Sequence, residues 1–263
     1  MRVLDIDKYK ISFPFFDFNN FNEIEKKYYI YHIPRFALLL SIINDLISKL
    51  KERDRKVQSG INILDMGPHF LTEIIRNETD AKVDQLGWRY DFITKPRDEE
   101  SHYEFNLNDC IMRDKWPQMA HYDIVVACEI LEHVYTSFDF ILPFLNSIVK
   151  DNGYLLIGTP NAVSLKRRLV MLAGKNPFDR ITTTIYNPNH FREYTRDEIV
   201  EIVSAYGFNL LYFNCMSNYN YINHGIIGNA NKLLSKILPL SLRDNMTFVF
   251  QKVSNILWLL TSQ

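Results

Sequence analysis

The 263 residues, 47% of them hydrophobic, suffice to bury one substantial core and suit one α/β domain with insertions better than two independent domains. Thirty basic residues against thirty-one acidic ones leave a net charge of -1, which excludes a global field that would draw the chain onto nucleic acid or an anionic membrane and points to a small-molecule partner. The three cysteines, Cys110, Cys128 and Cys215, are odd in number and lack metal-ligand spacing, so no disulfide framework and no metal are expected and a reducing cytoplasm is the natural compartment.

At the start of the chain, MRVLDIDKYKISFPFF lacks the basic start and apolar run of a signal peptide, and no eighteen apolar residues run together anywhere, so no membrane span is expected. Residues 10–33 are rich in aromatic side chains without a clean period and read as an arm that lies over something, with Tyr29 and His32 facing an acceptor. Pro34 then stands where a helix favours its first residue, and Phe36, Leu39, Leu40, Ile43, Leu46, Ile47 and Leu50 follow at spacings of three and four, which predicts an amphipathic helix. Arm and helix together, residues 1–55, form the expected lid.

From residue 61 onward short apolar blocks alternate with helical patterns. INILDM, AKVDQLG, HYEFNL, YDIVVAC, YLLIGTP, FNLLYFN and MTFVFQK predict seven strands. FLTEIIRN, SFDFILPFLNSIVK and RDEIVEIVSAY are the helices between them. Asn152 and Gly153 mark a turn, Thr195 with Glu198 forms a capping box, and Gly207 stops the helix that follows. The fold class is therefore α/β, a doubly wound, mostly parallel seven-stranded sheet in a single domain over 1–263. Residues 161–194 and 216–244 exceed the minimal alternation and read as cap insertions that shape a pocket.

Ligands of such sheets sit beyond the carboxyl ends of the strands. The first strand ends in LDMGPHFLT, where Asp65 can reach polar ligand groups, Gly67 allows close backbone approach, and Pro68 and His69 stiffen and crowd the turn. A dinucleotide fingerprint needs glycines where His69 and Thr72 stand, which counts against a nicotinamide or flavin enzyme. A dehydrogenase or epimerase also needs a Tyr-x-x-x-Lys pair, and none is present.

YDIVVACEILEHV, GYLLIGTPN, HFREYT and the helix ending in YGF occur in that order. Together with FNLNDC they resemble the class I S-adenosylmethionine-dependent methyltransferases, in particular the small-molecule branch similar to ubiquinone-pathway and surface-polysaccharide-pathway enzymes. The resemblance covers roughly residues 60–215. It implies that S-adenosylmethionine is the cofactor, that the last strand is antiparallel, that Asp65 and Gly67 hold the methionine end together with the backbone of Cys128 and Glu129, and that Asn108 and Asp109 lie beside the adenine. Two departures stand out: the glycine-rich loop is reduced to GPHFL, and the second strand ends in Gly87 and Trp88 where the family places an acid for the ribose. Trp88 either stacks near the nucleoside or packs structurally. Asp84 is poorly placed to substitute for the missing acid, whereas Asp91 could do so from a folded-back loop.

A methyl group on a sulfonium is already activated, so the protein must align the acceptor, exclude water and accept a proton. His133 follows the fourth strand and His190 opens HFREYT, and both have the side chain suited to a general base, each alternatively being a histidine that caps a loop or hydrogen-bonds a backbone carbonyl. Arg192 and Glu193 read as a local ion pair or, for Arg192, an acceptor contact. Lys166, Arg167, Arg168 and Lys175 either line an anionic, nucleotide-linked acceptor site or form a solvated face whose Leu165, Leu169 and Leu172 pack on the body. Ile226, Ile227, Leu233, Leu234, Ile237, Leu238 and Leu240 could complete the core, form a homodimer interface or lie on a membrane. The expected reaction is methyl transfer to oxygen or nitrogen of a small polar metabolite, by analogy a precursor of a bacterial capsule or surface polysaccharide. The alternative is a binding protein with a degenerate cofactor site.

Overall fold

A computed structural model describes residues 15–16, 19, 21–53, 60–88, 95–182, 189–217 and 237–253. Its sheet consists of β1 (Asn62–Met66), β2 (Lys82–Leu86), β3 (His102–Tyr103), β4 (Tyr122–Cys128), β5 (Val149–Pro160), β6 (Phe208–Met216) and β7 (Asn245–Lys252), in the order β3-β2-β1-β4-β5-β7-β6. β7 pairs antiparallel with both β5 and β6, while the other pairings are parallel, as the resemblance implied.

Strand residues alternate between two apolar layers, the pattern of a sheet covered on both faces. Ile63, Val83, Ile124, Val126 and Leu156 join one core with helices α1 (Glu23–Arg53) and α2 (Phe70–Glu78). Leu64, Leu86, Val125, Ala127 and Leu155 join the other with α3 (Phe138–Ile148) and α5 (Arg196–Ala205). Because β1 and β4 are sequence-distant neighbours at the middle of the sheet, strand order reverses there, and their carboxyl ends flank the crevice where ligands bind.

The N-terminal region departs from its sequence reading. α1 begins at Glu23, eleven positions before Pro34, and carries that proline in its interior. Asn22 accounts for the early start: its side chain accepts from the amides of Ile24 and Glu25 at 2.9 and 3.0 Å, and the Glu25 carboxylate accepts from the Asn22 amide at 2.7 Å. α1 is also long and apolar enough to cross a membrane by length and composition, although half of its most apolar window is buried inside the protein, which is how a core helix behaves. The described part of the aromatic arm packs onto it, with the Phe16 ring 5.2 Å from Tyr29 and 5.3 Å from Phe70.

β3 is reduced to two residues because Asn106 accepts from the Asn108 amide and starts a 3-10 turn over Leu107–Ile111, where the sequence pattern extended the strand. The Thr195 capping box and α5 form as expected. In the first insertion, α4 (Leu165–Leu172) buries no residue, and Leu169 and Leu172 are exposed, so the expected packing of its apolar side is not met. Most of the second insertion, including Ile226, Ile227, Leu233 and Leu234, lies outside the described residues, as does Asp91.

Candidate functional site

The turn after β1 builds the first half of the site. Gly67 adopts a positive φ of 70°, and a Cβ there would stand 2.4 Å from Cδ1 of Ile130, so only glycine fits between the ends of β1 and β4. Gly87 lies against it, its own Cβ position 3.4 Å from the Gly67 nitrogen and from Pro68. His69 precedes α2, and its amide donates to the Thr72 hydroxyl at 2.9 Å. That hydroxyl in turn donates to Asp65 at 2.6 Å. Burial raises the Asp65 carboxyl to about 7, against the opposing influence of the Thr72 hydrogen bond and Arg76. A buried acid of this kind, next to a glycine that brings backbone close, fits the ammonium end of a methionine moiety.

α1 covers this region. Arg35 reaches the Glu129 carboxylate at 2.8 Å and donates to the Tyr28 hydroxyl at 3.4 Å. Glu129 stands at φ 57° immediately after β4 and also accepts from Asn245 at 3.3 Å. The Tyr28 ring lies 4.2 Å from His32 and 4.9 Å from His69. Burial, then the Arg35 charge, lowers His69 to about 4, and burial with Arg35 and His69 lowers His32 to about 2, so both are neutral rings in the roof of the crevice.

The second half gathers around the Leu-Glu-His turn. The Glu132 carbonyl accepts from the amides of Phe191 and Arg192 at 2.7 and 3.4 Å, which pins HFREYT against the end of β4. Asn161 accepts from Val163 at 3.1 Å and donates to the carbonyls of Ser241 and Arg243 at 3.0 and 2.8 Å, while the Ala162 amide donates to the Tyr194 carbonyl at 3.1 Å. Through these bonds the Leu-Glu-His, Thr-Pro-Asn and HFREYT segments are held against one another. As a result the His133 and His190 rings meet edge to face at 4.8 Å. His190 Nδ1 is 2.7 Å from Glu193, which also pairs with Arg167. Burial, and then the neighbouring His190, lowers His133, against the hydrogen bond from its ring to the Asn189 backbone. Glu132 is fully buried, accepts from the Thr159 hydroxyl at 3.1 Å and titrates well above the ordinary carboxylate range because of that burial and of Glu129.

Among the residues expected from the sequence, Asp65, Gly67, Pro68, His69, Gly87, Cys128, Glu129, His133, His190 and His32 collect at this end of the sheet. Asn108 is taken up structurally, its side chain accepting from the amides of Tyr135 and Thr136 at 2.8 and 3.0 Å, while Asp109 follows it in the same 3-10 turn. Asp84 is buried against Ser101 and the Tyr122 hydroxyl and does not supply the missing ribose acid, while Trp88 is 46% exposed, so the structural packing weighed for it is not met. Tyr29 is not at the crevice; it is buried in the aromatic cluster because it lies on the inner face of the early-starting α1. Arg168 donates to the Val163 carbonyl at 2.7 Å, Arg167 to the Pro177 carbonyl at 2.8 Å as well as to Glu193, and Arg192 to Glu198 at 2.7 Å. The expected Arg192 and Glu193 pair is thus replaced by two others. A cleft of about 320 Å³ opens beside HFREYT between Tyr135, Asp139 and Tyr194. A larger depression of about 610 Å³ lies at the opposite ends of the strands, near Lys51 and Asp80, with none of these groups in it.

Sequence reading singled out none of Arg35, Glu132 and Thr159, and it gave Glu193 the partner Arg192 in place of Arg167 and His190. Glu132 carried a signal, since it stands between two singled-out residues of the same motif. Arg35 carried none, because its partner lies 94 positions away.

A family model described as a methyltransferase domain matches residues 31–212. A search among curated proteins gives no match. Among solved structures, the chain is similar to a SAM-dependent methyltransferase from Archaeoglobus fulgidus at 15% identity and a TM-score of 0.50, with 86% of this chain and 99% of that one covered. It is also similar, at 10% identity and a TM-score of 0.45, to the N-methyltransferase NodS from Bradyrhizobium japonicum in complex with S-adenosyl-l-homocysteine, with 80% and 86% covered. Since the matched model takes in most of α1, strands β1 to β5 and the turns after β1 and β4, the chain belongs to the methyltransferase-domain family and is an S-adenosylmethionine-dependent methyltransferase.

Proposed function

We propose that the enzyme transfers the methyl group to an oxygen or nitrogen atom of a small polar metabolite held between the Leu-Glu-His turn and HFREYT. The observation that carries this reading is the meeting of His133 and His190 at 4.8 Å at the same sheet end as Asp65 and Gly67. Asp65 takes the ammonium group of the cofactor, Gly67 and the backbone at Cys128 bring the chain close to its methionine end, and Glu129 is held in place by Arg35. The bound cofactor supplies an electrophilic methyl group on a sulfonium. The histidines orient the acceptor and relieve it of its proton, a task suited to imidazole, and burial favours the neutral form of His133.

A hydroxylated precursor of a surface polysaccharide is the acceptor class that the Thr-Pro-Asn and His-x-Arg-x-Tyr-Thr motifs favour by analogy. An anionic acceptor draws little support from Arg167 and Arg168, whose guanidinium groups already have protein partners. The reading places the protein in the cytoplasm, where the cofactor and activated sugars are made. Calorimetric titration with S-adenosylmethionine tests the cofactor half, and no heat at millimolar concentration overturns it. A panel of nucleotide-linked and free sugars assayed for release of S-adenosylhomocysteine tests the acceptor half, and turnover confined to non-sugar amines or acids overturns that.

A further inference from the structure

We propose that Glu132, His133 and His190 form a divalent-cation site, and that the cation takes a hydroxyl of the acceptor as a further ligand. This rests on the reading above that the acceptor enters at this turn. Three observations support it. Each of the three residues offers one ligand atom, and all three atoms lie within 4.8 Å of one another. A cation about 2.0–2.2 Å from each ligand would space them by roughly 3–4 Å, so the cluster needs to contract by less than about 2 Å to close on an ion.

The second observation concerns the outer nitrogens. His190 Nδ1 faces Glu193 at 2.7 Å, and the His133 ring is hydrogen-bonded to the Asn189 backbone. Ligating histidines characteristically spend one ring N–H on a carboxylate or a backbone carbonyl, which fixes the tautomer and leaves the other nitrogen's lone pair directed at the metal. Both second partners are already in place, and Arg167 holds Glu193 where it is.

The third is Glu132 itself. It is 0% exposed, Oε2 accepts from Thr159, and Oε1 has no hydrogen-bond partner among the described residues. A buried carboxylate oxygen left without a partner is costly, and the near guanidinium, Arg35, is committed to Glu129. No hydrogen bond among the described residues joins Glu132 to either ring, so the three groups converge without satisfying one another. Two imidazoles and one carboxylate suit manganese, iron, cobalt or zinc in the divalent state better than calcium.

Coordination changes how the acceptor is ionised. A hydroxyl bound to the cation loses its proton to water at a lower pH; its oxygen then bonds to the methyl carbon as the carbon–sulfur bond breaks and leaves its electron pair on sulfur. No electron is gained or lost overall; with the cation bound the ring nitrogens are ligands and water takes the proton, so the base role given to the histidines above would belong to the metal-free rings. A facially open ion would also hold two neighbouring hydroxyls of a sugar, which would favour a vicinal diol as acceptor.

The full-length protein, treated with chelator and dialysed, is titrated with MnCl2 and separately with ZnCl2 by calorimetry, and its melting temperature is followed with and without each metal. The expected result is one equivalent of Mn2+ or Zn2+ bound, a rise in melting temperature, and at least a tenfold loss of metal affinity in Glu132→Gln and in His190→Gln. Cofactor affinity serves as the control for folding, because Asp65 and Gly67 do not touch these groups. Metal affinity equal in wild type and both variants overturns the site. Turnover that survives chelation while His133→Ala is inactive overturns the cation and retains the histidine base. Absence of cofactor binding by the wild type overturns the methyl-transfer reading instead, whatever the metal does.

Discussion

The ends of β1 and β4 lie side by side, and each presents a buried carboxylate to the crevice with one threonine hydroxyl bonded to it. Asp65 accepts from Thr72 at 2.6 Å, and Glu132 accepts from Thr159 at 3.1 Å. The surroundings then diverge. Near Asp65 the next charge is Arg76, which favours ionisation; near Glu132 it is Glu129, which opposes it. The β1 turn is held by packing, with Ile130 against Gly67 and Tyr28 beside His69. The β4 turn is held by hydrogen bonds that tie three motifs together. On the proposed reading the first is the socket for one positive group of the cofactor, and the second is the polar cluster that an acceptor or ion completes. A methyltransferase needs this asymmetry: cofactor binding can be nearly rigid, while acceptor chemistry depends on exact proton and charge placement.

Replacing the acceptor-side rings should have the largest effect. His133→Ala or His190→Ala is expected to lower kcat by about a hundredfold or more with cofactor Kd changed by less than about threefold, whether the rings act as base or as ligands. Stopped-time product assays beside calorimetry check it, and a matching loss of cofactor affinity would show that the two halves are not separable.

On the cofactor side the expected change is smaller and appears in binding. Asp65→Asn should weaken S-adenosylmethionine by about ten- to a hundredfold, since it removes a charge-assisted contact from a dry site. Its pH dependence has a definite sign. The folded carboxyl titrates near 7, above its unfolded value of about 4, so the protonated form stabilises the unliganded fold below about pH 4, and that contribution is lost as pH rises towards 7. Cofactor binding favours the ionised form. Affinity should therefore rise with pH up to about 7, with proton release on binding near pH 6 that buffers of different ionisation enthalpy reveal. Asp65→Asn should abolish both effects.

Gly67→Ala probes the packing that distinguishes the β1 turn. The substitution meets Ile130 at 2.4 Å in a left-handed conformation, and a loss of about 1–3 kcal/mol in urea unfolding is expected. Pairing it with Ile130→Ala should recover part of that loss, since the clash is with the Ile130 side chain. No recovery would place the cost in the backbone alone.

How far the sequence foretold these features follows from the range of the interactions. The seven strands were legible because each is a short apolar block bounded by polar turns, and the α5 start was legible because Thr195 and Glu198 are three residues apart. Gly67 and His133 were legible as residues that follow strand ends, and His190 as the residue that opens HFREYT. The N-terminus of α1 was not, because Pro34 gives a strong local start signal that the Asn22 cap and the ring packing of Phe16, Tyr29 and Phe70 override from outside any periodic window. The roles of Arg35 and Glu193 were hidden for a related reason: an ion pair is a property of two places, and the pattern around either one alone is that of an ordinary surface charge.

The smallest effect is expected on α4, the counterpart to α1 in this respect. Both helices carry leucines at helical spacing, and sequence reading assigned both an inward face. In α1 that face is buried, with Leu39, Ile43 and Leu46 at 1% exposure or less, whereas Leu172 of α4 is 83% exposed. Spacing sets which residues share a face, and only tertiary structure decides whether the face is covered. Leu172→Ser should accordingly change unfolding free energy by no more than about 0.5 kcal/mol, while Leu39→Ala should cost about 2–5 kcal/mol. A Leu172→Ser loss of comparable size would mean that α4 is covered in solution.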